Sequence, residues 1–424
     1  MKKILVLSSI LISFLFNSNL YSQWIQVGPS SSMTIKSLAI KDSVLFAGAQ
    51  TNGVFTSNNY GQNWTQTPLF AQTVNALAAG SYYVIAGTDN SDSGIFITSN
   101  NGMNWIPYPG SHLVVNCLTV RNNYVFAGTP GGIYRSTNNG MTWAQIFSGA
   151  GNTPGLLVKD SMIFAGSNGY GVYLSTNYGI NWSQDGLSYL FIPAFGVSGN
   201  VVYAGACQGD TALYYTVNNG ANWNKVGSLI QCVHSIVISN NTIILAAQSP
   251  GIYITTNNGQ NWIIKNEGIG GGINIFCLLM ANGYIFAGSE THGLWRRSLS
   301  ELIGIKPISE EVPTEYNLYQ NYPNPFNPST KIKFAIAPSP TKWERGMGGE
   351  GKIQTFSVNN NGGVGVRLTI YDITGREVAT LVNEPLQPGT YEVEFNGSSF
   401  ASGVYFYKLS AGDFVQTKKM TLLK

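Results

Sequence analysis

Hydrolysis of a glycosidic bond asks for two carboxyl groups facing one pocket. In this 424-residue chain the candidates are Asp89, Asp92, Asp185, Asp210, Glu267 and Glu290, and most of them stand beside Gly, Asn or Ser. In such a setting a carboxylate more often shapes a solvated turn than a pocket. The three histidines, His112, His234 and His292, are isolated from one another, and no Ser-His-Asp, zinc-spaced His/Cys or phosphate-loop pattern occurs. Neither a cofactor nor a metal is expected. Two of the four cysteines, Cys117 and Cys277, lie inside apolar runs (VVNCLTV and INIFCLLM) and read as small buried side chains.

Composition narrows the field further. Charged residues make up 10% of the chain and the net charge is +3, which leaves no cluster of Lys and Arg to displace counterions from nucleic acid. A 44% hydrophobic and 12% aromatic content is enough to bury a core and argues against disorder. Lys2 and Lys3 precede an apolar run from Ile4 to Phe16, and a short polar stretch ends at Ser22. This is the layout of a secretory signal over residues 1–22, with cleavage expected after Ser22. The run falls short of the roughly 20 apolar residues that span a bilayer, so no transmembrane span is expected after signal removal. The first cysteine is Cys117, which is too remote for a lipid anchor at the cleavage site.

The elements that position these residues are set by a repeat. Six segments share Ser/Thr-x-Asn-x-Gly-x-x-Trp at a period of about 40 residues, within the range of propeller blades. They are Ser57 with Asn59, Gly61 and Trp64; Thr98 with Asn100, Gly102 and Trp105; and Ser136 with Asn138, Gly140 and Trp143. The others are Ser175 with Asn177, Gly179 and Trp182; Thr216 with Asn218, Gly220 and Trp223; and Thr255 with Asn257, Gly259 and Trp262. Upstream of each lies an apolar run ending in Ala-Gly or nearly so, from VLFAG at Val44 to YIFAG at Tyr284, preceded by a further strand-like segment such as VNALAA or VHSIVI. Each unit therefore reads as four short strands, a to d from the axis outward. Within the turn, Asn tolerates left-handed backbone and bonds nearby amides, Gly supplies positive φ, Ser or Thr satisfies turn amides, and Trp covers the hairpin.

A seventh unit, with strands near Phe276, Tyr284 and Gly293 to Arg297, stops before its turn. Its missing outer strand is expected at Trp24-Ile25-Gln26-Val27, which matches Trp64-Thr65-Gln66 and Trp143-Ala144-Gln145. The predicted architecture is all-β: a seven-bladed β-propeller over residues 23–302 closed by the N-terminal strand. The turns resemble the Asp-box, or BNR, repeats of sialidases, sortilin-type receptors and photosystem-assembly-factor-like propellers, with Asn in place of the usual Asp. Sialidase chemistry would need three arginines around a carboxylate. The propeller holds only Arg121, Arg135, Arg296 and Arg297, and neither of the first two stands in an Arg-Ile-Pro context.

Pro307, Glu310, Glu311 and Pro313 mark residues 303–315 as a linker. Alternation in VRLTIYD, TYEVEFN and GVYFYKLSA then predicts a small antiparallel sandwich over 316–424. Asn321-Tyr322-Pro323-Asn324-Pro325-Phe326-Asn327-Pro328-Ser329-Thr330, the stretch from Ile370 to Gly397, FASGVYFYKLSAGDF (Phe400 to Phe414) and the end from Lys418 to Lys424 resemble the type A C-terminal sorting domain of the Por, or type IX, secretion system. That resemblance implies a partner in the type IX machinery and a secreted or outer-membrane-surface location. Residues 336–365 replace the family's short turn with a Pro- and Gly-rich excursion expected to be flexible.

With antiparallel blades, the d-to-a and b-to-c connections share one face, which gathers Phe70, Tyr108, Tyr170, Tyr189, Phe191, Asp210, Glu290 and His292. Aromatics beside polar groups there suit stacking on sugars or docking a protein; loop aromatics covering the core rim are the plainer alternative. The same topology brings Cys207 toward Cys232, permitting a disulfide. Asp42-Ser43-Val44, Asp160-Ser161-Met162 and Asp210-Thr211-Ala212 resemble O-glycosylation acceptors of bacteria that use this route, and read more plainly as turns entering strand b. The expected function is a glycan- or protein-binding or scaffold module at the cell surface. A polysaccharide-active hydrolase and a purely structural surface component are the alternatives.

Overall fold

The computed structural model describes residues 23–424 apart from 91–92, 109–112, 208–211, 228–231, 240–241, 249–250, 271, 310, 339–363, 387 and 399. The expected signal, His112, Asp92, Asp210 and most of the 336–365 excursion lie outside the described residues. The strands form nine four-stranded sheets among the described residues.

Seven of these follow the repeat. Sheet 1 pairs Ile35–Lys41, Val44–Ala49, Gly53–Ser57 and Thr65–Gln66 in chain order. Sheets 2 to 6 repeat the pattern, their innermost strands beginning at Val74, Cys117, Gly155, Ala194 and Val233. Sheet 7 pairs Ile275–Ala281, Tyr284–Ser289 and Leu294–Ser298, and its fourth strand is Ile25–Gln26, in register with Arg296 and Trp295. Neighbouring innermost strands touch in succession, and that of sheet 7 touches that of sheet 1, so the succession returns to its start. Trp24 is buried and donates its indole N–H to Lys265 O at 2.6 Å, while its backbone N–H reaches Glu267 O and that of Val27 reaches Leu294 O.

The Ala-Gly signature has a packing cause. A Cβ on Gly48 would come within 2.7 Å of Val74 Cγ1, the first innermost residue of the next sheet, and one on Gly288 within 2.8 Å of Ile35 Cγ2. Glycine therefore lets the second strands of six sheets approach their neighbours, including across the closing seam, and Ala246 takes its place in sheet 6. Phe46, Phe126, Phe164 and Phe286, two residues before these glycines, are fully buried between sheets.

The turns are hydrogen-bonded alike. Ser136 Oγ accepts from Gly140 N–H at 2.8 Å and pairs with Asn138 Oδ1 at 2.9 Å, and Asn138 Oδ1 accepts from Thr142 N–H at 2.8 Å. The other five turns repeat this set. Left-handed backbone falls on the residue after the motif Asn (Tyr60, Asn101, Asn139, Tyr178, Asn219, Asn258) and on the Gly. This corrects the expectation that the motif Asn itself is left-handed; it serves through its side-chain oxygen. Trp64 donates to Val27 O, Trp105 to Thr67 Oγ1 and Trp223 to Asp185 O, each on the preceding sheet, so these half-buried indoles bridge seams as well as cover hairpins.

The last two sheets form the C-terminal unit. One is ordered Lys306–Ser309, Gly389–Asn396, Ser329–Ile336, Asn317–Leu318, and the other Glu377–Leu386, Val364–Tyr371, Gly403–Ala411, Phe414–Leu422. Their shared core includes Phe334, Leu368, Ile370, Tyr407 and Leu409. Asn321 is buried, donating Nδ2–H to Thr330 Oγ1 and Pro323 O, and its N–H bonds Tyr407 Oη; Phe326 N–H bonds Thr421 O. The Asn-Pro motif thus locks onto the final strand. The expected 303–315 linker is corrected in part. Ile305 is fully buried in this core and Lys306–Ser309 is an edge strand, a place where Pro307 is tolerated.

Replacing Ser136 with Ala would leave the buried Gly140 N–H without its acceptor. Urea unfolding should show a loss of about 1–3 kcal/mol, whereas Ser136→Thr, which copies the turns of sheets 2, 5 and 6, should be near neutral.

Candidate functional site

Each innermost strand opens on an irregular residue. The register shifts at Lys36, Asn75, His234 and Phe276, each held as a bulge between paired neighbours. Asn116, Pro154 and Pro193 hold the same place immediately before their strands. Bulges re-aim side chains, and here Lys36, Asn75 and Phe276 line a cavity of about 530 Å³. One arc of its wall is polar, from Lys36, Asn75, Asp89, Asn116 and Asn152; the other is Pro154, Phe191 and Phe276.

The polar arc is linked from sheet to sheet. Lys36 Nζ donates to Asn75 Oδ1 at 3.1 Å, Asn75 Nδ2 to Val115 O at 3.1 Å, and Asn116 Nδ2 to Asn152 Oδ1 at 2.7 Å. On the apolar arc, the His234 ring meets the Phe276 ring edge-on at 5.9 Å. Burial holds the His234 pKa below its ordinary value, opposed by the charge of Glu290. Glu290 in turn accepts from Asn274 Nδ2 at 2.7 Å.

Beneath the bulges lies a collar of small residues. Ser37 Oγ donates to Val74 O at 3.3 Å, Cys117 Sγ to Thr153 O at 3.5 Å and Cys277 Sγ to Ile35 O at 3.8 Å. The two free thiols are therefore weak inter-sheet donors, and burial pushes the pKa of each up to about 12. Cys207 and Cys232 form the disulfide that the topology permits.

Of the residues expected on the ligand face, Phe191 lines the cavity. Tyr170 and Tyr189 are exposed outside its wall, Tyr189 at 87%. Tyr108 packs half-buried against the core between sheets 2 and 3. Glu290 and His292 share an exposed loop of sheet 7, where His292 Nδ1 lies 3.1 Å from Glu290 O. Lys36, Asn75, Asn116, Asn152 and Phe276 were not foreseen. For Lys36, Asn75 and Phe276 the signal is a second position that differs from unit to unit between apolar and small neighbours in IKSLAIK, VNALAA, VHSIVIS and IFCLLMA.

The other chemical candidates are engaged in structure. Arg135 Nη1 and Arg296 Nη1 each donate, at 2.6 Å, to the carbonyl of the left-handed residue in the next sheet's turn, Tyr178 and Tyr60. Arg297 pairs with Glu267 at 2.6 Å and Arg121 with Asp160 at 3.5 Å. None of the four lines the axial cavity. Asp42 and Asp160 are left-handed turn residues; Ser43 is exposed, and Ser161 Oγ donates to Thr176 O at 2.9 Å.

Asp185 is the exception to a seam rule. Three residues after the repeat Trp, Val27, Thr67, Ile146 and Val226 cover the turn glycine of the next sheet, and Asp185 does the same over Gly220, whereas Gly140 is met by Ile97 and Ile85. Its Oδ2 is enclosed without a hydrogen-bond partner, and desolvation raises its pKa.

Residues 320–422 match the secretion system C-terminal sorting domain family. The chain is therefore directed through type IX secretion to the cell surface or beyond. No curated protein matches the chain in sequence. Among solved structures it is similar to YCF48 from Cyanidioschyzon merolae, with 14% identity, TM-score 0.54, and coverage of 65% of this chain and 98% of that one. A structure described as YCF48 bound to D1 peptide gives 15% identity, TM-score 0.55 and coverage of 66% and 97%. The GH74 xyloglucanase from Xanthomonas campestris gives 12% identity and TM-score 0.51, and the match covers 74% of this chain but 59% of the enzyme. At these identities the likeness is one of fold, a β-propeller.

A carboxylate whose folded pKa lies above its unfolded one loses stability as pH rises from the unfolded to the folded value. Asp185→Asn should therefore stabilise the chain at neutral pH, with the gain vanishing below the ordinary Asp range near pH 4. Thermal melts of both proteins across pH 3 to 8 check this.

Proposed function

We propose that this exported chain is a surface binding module, a seven-bladed Asp-box-type propeller that holds a neutral glycan strand in its axial cavity. The observation that carries the reading is the division of the cavity wall. Asn75, Asn116 and Asn152 offer amides on one arc, and Phe191 and Phe276 offer ring faces on the other. Sugar rings present apolar CH faces and polar edges together, so a wall with both kinds of group recognises them, and aromatic rings supply stacking. Lys36 and Asp89 bring opposite charges, so the wall has no strong preference for an ionic ligand.

The sorting domain supplies the destination, and the propeller then works where extracellular polysaccharide is met. The xyloglucanase shares the fold. Among the described carboxylates of this chain, Asp89 lines the cavity, while Glu267 is tied to Arg297 and Asp185 serves a seam, which supports binding over hydrolysis.

Titrating the full chain with soluble neutral polysaccharides should give saturable binding. Phe191→Ala and Phe276→Ala should each weaken it about three- to tenfold, in line with the worth of a stacked ring. Binding indifferent to both substitutions removes the cavity from the account, and release of reducing ends from the same polysaccharides makes the protein an enzyme instead.

A further inference from the structure

We propose that Cys207, Cys232 and His234 form a redox-gated site for a soft divalent cation such as Zn²⁺, closed while the two sulfurs are bonded and opened by a dithiol reductant. The starting observation is that His234 Nε2 lies 3.5 Å from Cys232 Sγ. In a tetrahedral zinc site with Zn–S of about 2.3 Å and Zn–N of about 2.0 Å, the sulfur-to-nitrogen edge is about 3.5 Å. The three donor atoms all lie within 4.8 Å of one another. The sulfur-to-sulfur separation must widen to admit an ion, and breaking their bond allows it.

The backbone holds the cluster together without that bond. Cys207 N–H donates to Phe191 O at 2.9 Å, and Gln248 N–H donates to Cys232 O at 2.9 Å. The two Cα atoms are 3.9 Å apart. After reduction both thiols therefore remain beside the imidazole, whose plane is set by the edge contact with Phe276. Two thiolates and one imidazole are a donor set that favours zinc over harder cations. Three protein ligands leave the fourth tetrahedral position to water or an external donor. The other two thiols, Cys117 and Cys277, are committed to collar carbonyls of other seams.

The chemistry balances as follows. A dithiol delivers two electrons and two protons, the Cys207–Cys232 bond is cleaved to two thiols, and the reductant leaves as its own disulfide. Cation binding then expels the two thiol protons, and neutral His234 supplies the nitrogen lone pair. In either state the seam between sheets 5 and 6 stays cross-linked beside Phe191 and Phe276, covalently or through the ion. This inference goes beyond glycan binding and does not depend on it.

Cobalt(II) is the probe, added to the full chain before and after reduction with a water-soluble phosphine, which takes up a water oxygen as it opens the bridge. The expected result is no thiolate-to-cobalt charge-transfer band before reduction, and afterwards one tetrahedral equivalent with that band. Cys232→Ser should abolish the band. His234→Gln, which keeps the bridge and so reports even if the cysteine variant misfolds, should weaken binding at least about tenfold. Cys117→Ser with Cys277→Ser should leave it intact, and circular dichroism of each variant checks folding. Absence of the band in the reduced wild type, its presence before reduction, or an unchanged titration for His234→Gln overturns the proposal.

Discussion

The succession of sheets returns to its start because the last sheet takes its fourth strand from the other end of the repeat region, where four residues, Trp24 to Val27, supply it. Two of them pair with Arg296 and Trp295, and the indole of Trp24 is buried against the outer strand of sheet 6. The rest of the ring rests on this because the seams follow one plan. In most of them a glycine of one sheet receives a residue at or just before the next inner strand and a side chain of the outer strand covers the next turn, and the Gly288 to Ile35 contact applies that plan to the closing seam. Sealing the outer edge fixes that last seam, and leaving it open would expose the flank of sheet 7 and the turn of sheet 1 that Val27 covers.

The seams also explain residue choices that look functional at first. Arginines that a search for carboxylate binding would single out cap turn carbonyls, and a glutamate that a search for acid catalysis would single out neutralises one of them. Cysteines in the inner collar stand where serine stands in sheet 1 and donate to the same kind of carbonyl. Structural tasks take these charged and sulfur-bearing groups, and among the described residues the cavity is lined by amides, two phenyl rings, a proline and one pair of opposite charges. This is the physical basis for reading the axis as the place of binding.

The architecture was legible in the sequence because its repeat combines turn chemistry with strand alternation. Asn, Gly and Trp at fixed offsets locate each hairpin, and the unmatched Trp24 locates the closing strand. Of the cavity wall, Asp89 and Phe191 were legible, the first as one of several scattered carboxylates and the second as a loop aromatic. Lys36, Asn75 and Phe276 point to the axis through bulges, and a bulge leaves no residue type behind, only a break in alternation. Tyr189 illustrates the converse: an aromatic in the right loop can stand clear of the cavity. Residues 306–309 were hidden by Pro307, whose usual reading as a linker fails at a sheet edge.

Hydrogen exchange on the full chain and on Trp24→Ala measures the closing strand directly. Loss of a buried tryptophan of this kind costs about 3–5 kcal/mol. The account predicts that amides of Leu294–Ser298 lose protection first and that the inner strands of sheets 7 and 1 follow, while the C-terminal sandwich is unchanged. Protection in sheets 7 and 1 equal to that of the parent chain would contradict closure by the N-terminal strand.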